Sequence, residues 1–323
     1  MSLRKIGLLG VAFLLTCSAA LAQSSRVPVK VISGFPPGGN VDILARLLSD
    51  PLSDALGRPV VVENRPGAGG QIALEYLKAA PPDGNTLVVT PDASLIVRPL
   101  TMKQPPYHPV NDFVAVAQVG GQDYAFAIGA GIPAKDLMEF AAWAKGHPDG
   151  ANYGSAGQGG ATHFLGLLIG DAVGASLRQI PYKGSGPAVT ALVAGEVSAT
   201  VQPIGTLMAQ AQAGRVRIVA TTGSQRAPDL PGVPTLADLG FPKLTLSNWF
   251  GVFAPAHTPA DAVKRLNDII VRALRTPAIK GKLAHLLLEV KEMTPEQFAE
   301  VVRSDYQRWA PVIKATGFSI DSR

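Results

Sequence analysis

An apolar strand that runs into a glycine- and proline-rich turn and out again as an amphipathic helix leaves a chain few possible folds, and this sequence repeats that pattern. Val29 to Ser33 leads into Gly34-Phe35-Pro36-Pro37-Gly38-Gly39-Asn40, and a helix follows from Val41 through Leu48. Pro59 to Glu63 leads into Asn64-Arg65-Pro66-Gly67-Ala68-Gly69-Gly70 and a helix through Ile72, Tyr76 and Leu77. After the turn Pro81-Pro82-Asp83-Gly84, Thr86 to Thr90 is a third strand without polar interruption, as expected of a parallel sheet covered on both faces. Three such units in succession argue for an α/β domain.

The same pattern returns later. Asn152-Tyr153-Gly154 ends a short strand, Ser155 to Gly160 is a turn, and Thr162 to Ile169 is a strongly apolar helix. Next come a strand at Leu177 to Pro181, the turn Tyr182 to Pro187, a helix through Ala191 and Leu192, and strands at Val197 to Val201 and Val216 to Thr221 around a helix from Thr206 to Ala213. Between the two units lie a proline-rich passage (Pro99 to Pro109), an extended run (Phe113 to Ile128) and a helical one (Ala134 to Ala144). Arg226 to Pro242 is irregular and reads as the return crossing. Phe250 to Ala254 reads as a strand. Helices follow at Pro259 to Leu274, Lys280 to Leu287 and Pro295 to Trp309, with Thr258 and Thr294 as caps before proline. This last part is too helical to stand alone, so it is expected to pack back on the first unit. The predicted division is domain 1 from residues 26–120 with 224–323, and domain 2 from 121–223. Each domain is expected to be a mostly parallel sheet flanked by helices.

The first residues have a basic start (Arg4, Lys5), an apolar run from Ile6 to Leu15 and Ala20-Leu21-Ala22, which reads as a signal peptide over residues 1–22 and an exported, periplasmic chain. Cys17 sits in a partial lipidation context, but Thr16 before it argues against that use. Cys17 is the only cysteine, so a chain cleaved after Ala22 has no thiol chemistry and is held together by its core. Loss of Arg4 and Lys5 takes the formal charge from +5 to +3. With no Lys/Arg block, nothing points to nucleic acid, although a mildly positive body suits an acidic ligand.

Helix amino ends carry unpartnered N–H groups and partial positive charge, and glycine lets a ligand come close to them. The opening turn is therefore read as a carboxylate seat, with Asn40 as a helix cap and Asp42 and Arg46 as a structural pair. Ligands of open α/β sheets sit beyond the carboxyl ends of the strands, where the Ser155 to Gly160 turn also lies, so a ligand between the domains could be held from both sides. Ser155, Thr162 and His163 place hydroxyls and an imidazole there. The other histidines (His108, His147, His257, His285) are scattered, so neither metal nor other cofactor is expected. A serine hydrolase would need glycine where Tyr153 stands, and the dinucleotide fingerprint around Gly157 is broken by Ala161 and Thr162.

Six segments in order resemble the Bug-type receptors of tripartite tricarboxylate transporters. These are Phe35-Pro36-Pro37-Gly38-Gly39 with Asp42 and Ala45-Arg46; Val62 to Gly70; Pro82-Asp83-Gly84; Tyr153 to Gly157 with His163; Pro181-Tyr182-Lys183-Gly184; and Leu230 to Thr235. The resemblance covers essentially the whole chain after the signal peptide. It implies a two-domain periplasmic binding protein of the Venus-flytrap type that closes on a small carboxylate and delivers it to membrane permease subunits, as a monomer and without catalysis. It also implies ligand contacts at Pro37, Gly38, Gly39, Ser155, Ala156 and Gly157, with His163 at the matching helix; Phe35, Asn40 and Thr162 join the expected contacts by their places in the two turns. Leu167 stands where many members carry Glu, which leaves the ligand's identity open; Asn85, where Tyr is common, reads as a surface change. A receptor that reports to a membrane sensor is one alternative, and a secreted serine hydrolase the other.

Overall fold

The computed structural model describes residues 27–322; the expected signal peptide and Cys17 lie outside them. The first unit contains β1 (Val29–Ser33), α1 (Asn40–Leu56), β2 (Val60–Asn64), α2 (Gln71–Lys78), β3 (Thr86–Pro91) and a short helical segment over 93–100. Strand β4 (Phe113–Gly129) then leads into α3 (Leu137–Gly146), β5 (Asn152–Ser155), α4 (Ala161–Ala172), β6 (Arg178–Pro181), α5 (Ser185–Ala194), β7 (Ala199–Pro203), α6 (Ile204–Gln212) and β8 (Val216–Thr221). The chain ends with β9 (Ser247–Pro255), α7 (Ala260–Leu274), α8 (Pro277–His285) and α9 (Pro295–Thr316).

The expected parallel pairings are present within β2-β1-β3 and within β7-β5-β6. The sheets are nevertheless mixed, because β9 joins β3 and β4 antiparallel, and β4 is antiparallel to β7 and β8. The extended run of the sequence is one 17-residue strand, β4. Its Phe113 to Asp123 part pairs with β9, and its Tyr124 to Gly129 part pairs with β7 and β8. A single strand thus serves both sheets. The return connection leaves and re-enters at the same place: Thr222 N–H donates to Tyr124 O, Leu246 N–H donates to Thr222 O (both 2.9 Å), and Ser247 pairs with Asp123.

Helical spacing of apolar residues decides which faces are covered. Val41, Leu44, Ala45, Leu48 and Leu52 of α1 bury one face of the first sheet together with Val263, Leu266 and Ile270 of α7. On the opposite face a single apolar cluster runs past the crossing, from Ile32 and Val88 through Phe113 to Phe126, Tyr153 and Phe164, and Phe298, Val302, Trp309 and Ile313 of α9 belong to it. Trp249 is core, 1% exposed, and its indole N–H donates to Asp305 at 2.8 Å. Thr294 caps α9 with a reciprocal bond to Gln297. The other expected threonine cap is corrected: Thr258 Oγ1 donates to Pro255 O at 2.7 Å, and Pro259 holds the cap position of α7.

Candidate functional site

Strand directions place the two glycine turns at facing edges. Because β9 is antiparallel to both β3 and β4, the first half of β4 runs the same way as β1, β2 and β3; its second half runs against β5, β6, β7 and β8. Since β4 is continuous, the carboxyl ends of the first sheet's parallel strands point toward those of the second. The register puts them close along β4: Pro91 and Gly120 both pair with Phe250, while Pro203 pairs with Tyr124 and Thr221 with Ala125. Ligand sites of open α/β sheets form at such edges.

The opening turn follows β1. Pro36 to Asn40 are exposed, and Phe35 is half-buried beside Gly70. Its framework is a buried carboxylate. Asp42 accepts from Gly38 N–H (2.9 Å), Arg46 Nε (3.0 Å) and Asn64 Nδ2 (2.8 Å), and Asn64 Nδ2 also donates to Phe35 O at 3.0 Å. The Arg46 hydrogen bond, joined by those from Gly38 and Asn64, holds the Asp42 carboxyl down at about 2. Two expectations change as a result. Asn40 does not cap α1, whose cap residue is Gly39 without a side-chain bond, because Asp42 reaches back over that end instead. The Gly38 N–H is taken by Asp42, while the N–H groups of Gly39, Asn40 and Val41 have no partner among the described residues. Gly38 has φ +86, a conformation that favours glycine.

The second turn, after β5, is held by neutral groups. Ala156 N–H donates to Thr162 Oγ1 (2.9 Å), Gly159 N–H to His163 Nδ1 (3.2 Å), and Ser155 Oγ to Gly157 O (3.1 Å). Gln179 Nε2 donates to Ser155 Oγ at 2.7 Å, and Tyr153 OH donates to His163 O at 2.6 Å. Burial lowers the His163 pKa, which keeps the ring neutral with Nδ1 as an acceptor. The N–H groups of Gly157, Gly160 and Ala161 have no partner among the described residues. Ser155 Oγ and His163 Nδ1 are each engaged with other groups and share no hydrogen bond with one another.

The structure therefore gathers Ser155, Ala156, Gly157, Thr162 and His163 into one assembly and Phe35, Pro37, Gly38, Gly39 and Asn40 into another. Among the described residues no hydrogen bond, ion pair or ring contact joins the two. Between them, at the crossing, Asn248 Nδ2 donates to Asp92 at 2.6 Å. Burial, with the nearby Asp305 carboxylate adding to it, pushes the Asp92 carboxyl up to about 8, so this point is largely uncharged at neutral pH. Asn64, Gln179 and Asp92 were not singled out from sequence as parts of the site. Asn64 could have been, because its side chain follows β2 at the same edge; Gln179 and Asp92 lie in ordinary strand and strand-end contexts without a local signal.

A model of the tripartite tricarboxylate transporter family receptors matches residues 44–318. Protein BugT of Bordetella pertussis is 34% identical over 97% of this chain and 98% of its own length. Among solved structures, MatC of Rhodopseudomonas palustris with bound malate is 32% identical, with a TM-score of 0.72 over 89% of this chain and 99% of its own. A second R. palustris protein, with adipate, is 28% identical, with a TM-score of 0.74 over 90% of this chain and 98% of its own.

Proposed function

This chain belongs to the tripartite tricarboxylate transporter receptor family, whose members are periplasmic binding proteins, and from that premise we propose that it captures a small organic acid between two domains and passes it to a membrane permease. The domains are residues 26–120 with 224–323 and residues 121–223, and they close by rotation about β4 and the Thr222 to Ser247 junction. The ligand carboxylate meets the open N–H groups of Gly39, Asn40 and Val41 on one side and of Gly157, Gly160 and Ala161 on the other. Ser155, Thr162 and His163 hold the second seat in shape, and Phe35 and Pro37 wall the first. The observation that carries this reading is the pair of carboxyl edges facing one another across β4, each ending in a turn with unpartnered donors. Neutral donors bind an anion without a permanent ion pair, which suits a ligand that must be released. The malate and adipate bound to two relatives make an aliphatic dicarboxylate the first class to try.

A thermal-shift screen against a carboxylate panel is the test. A ligand at one hundred times its Kd stabilises the native state by about 2.7 kcal/mol, enough for a clear rise in melting temperature. A rise with one or a few carboxylates is expected, abolished when Gly39 is replaced by Pro, which removes one donor. Shifts with neutral sugars or metal ions, and none with any carboxylate, would overturn the proposal.

A further inference from the structure

The segment after α9 reaches both sides of the crossing. Gly317, at φ +63, ends α9, and Phe318 turns onto the second seat: its ring lies 5.5 Å from the His163 ring and 5.9 Å from Phe164, both edge-on. A Cβ at Gly159 would stand 2.6 Å from that ring. A few residues on, Ile320 N–H donates to Thr101 O at 2.9 Å, and Asp321 Oδ2 accepts from Lys103 N–H at 2.7 Å. Thr101 and Lys103 follow the helical segment of the first unit, while Gly159, His163 and Phe164 belong to the second. Six residues thus tie the helix that carries the second seat to the body of the first unit.

We propose that residues 317–322 form a strap between the domains, in which Phe318 is a positioning residue that braces the α4 amino end and Asp321 is its anchor on domain 1. His163 is the joint. Its Nδ1 accepts the Gly159 N–H that shapes the turn, while its ring meets that of Phe318 in a T-shaped contact, so movement of the strap reaches the backbone donors through one side chain. A rotation of domain 2 about β4 that pulls Gly159 away from domain 1 must break the Phe318 contacts, break the Asp321 and Ile320 bonds, or bend the chain at Gly317. The strap thereby sets which interdomain angles the ligand-free protein visits. This rests on the two-domain reading above but on no particular ligand.

The test uses ligand-free protein. Asp54→Cys and Gln212→Cys, on exposed positions of the two domains in a mature chain that has no other cysteine, carry spin labels for an interdomain distance distribution. Phe318→Ala and Asp321→Ala are each expected to shift or broaden that distribution. Each is also expected to speed amide exchange over Gly157 to His163 by roughly tenfold, as for a local opening made easier. The double variant should do no more than Phe318→Ala alone, because both act through one strap, and Phe318→Leu should restore most of the wild-type behaviour. Asp321→Ala touches nothing in the seat, so it keeps the test decisive even if Phe318→Ala folds poorly. An unchanged distribution and unchanged exchange in Asp321→Ala would overturn the strap. Failure of every carboxylate to bind would instead count against the proposed function and leave this result standing.

Discussion

The two glycine turns occupy equivalent places at facing sheet edges, yet one is held by charge and the other by neutral hydrogen bonds and packing. At the opening turn a single buried carboxylate, Asp42, collects a backbone N–H, a guanidinium and an amide, all from residues within or next to the turn. The second turn has no ion pair among the described residues. Its shape comes from Thr162, His163 and Gln179, and from Phe318 far along the chain. The first is a self-contained local device that stays the same whatever the domains do. The second is wired to its surroundings, so its geometry can respond to them.

Matched glycine substitutions should separate the two most strongly. Gly159→Ala meets both a left-handed backbone (φ +75) and the Phe318 ring, and is expected to cost about 3 kcal/mol in a urea melt. Gly38→Ala at φ +86 meets nothing within 4 Å and should cost about 1 kcal/mol of backbone strain alone. Equal costs would break the distinction.

Removal of the central side chain of each turn comes next. Asp42→Ala leaves three donors without their acceptor and should lose about 2 kcal/mol, whereas Thr162→Val leaves only the Ala156 N–H and should lose about 1 kcal/mol.

Acid should then pull the turns apart in order. The folded Asp42 carboxyl, held at about 2, lies below its ordinary 3.8, so its stabilisation is present above pH 4 and disappears as the pH falls from about 4 to 2. Burial holds the His163 pKa below its ordinary 6.5; the folded state then resists protonation, and stability contributed at the second turn declines as the pH drops below 6.5. In pH-dependent melts His163→Gln should flatten the higher-pH decline and Asp42→Asn the lower one. The smallest effect is that of Arg46→Gln. This removes a half-exposed i, i+4 partner and should cost only a few tenths of a kcal/mol, and less at high salt.

Much of this architecture is legible in the sequence because it is written locally. The runs Val29 to Ser33 and Thr86 to Thr90, each ahead of a Gly/Pro turn and an amphipathic helix, state the α/β units without help from distant residues. The Asp42–Arg46 spacing likewise states its own pair. The role of Asn40 was misread because Asn before a helix is a good cap in isolation, and only the fold shows that Asp42, backed by Asn64 from the neighbouring strand, already covers that end. The extended run Phe113 to Ile128 is legible as such, but its double role is not, for a similar reason: nothing in Phe113 to Gly129 marks the point at Asp123 and Tyr124 where one sheet hands it to the other. Periodicity reports burial, and both halves of β4 are buried.

By itself, then, the sequence determined the units, their turns and the Asp42–Arg46 pair of the first seat, since each depends on contacts within a few positions along the chain. The tertiary structure alone decided that the two carboxyl edges face each other, which N–H groups remain unpartnered, and that Phe318 reaches the second seat. Those are matters of strand direction and long-range register. They follow from how whole sheets join along one strand, and no local pattern of residues encodes that.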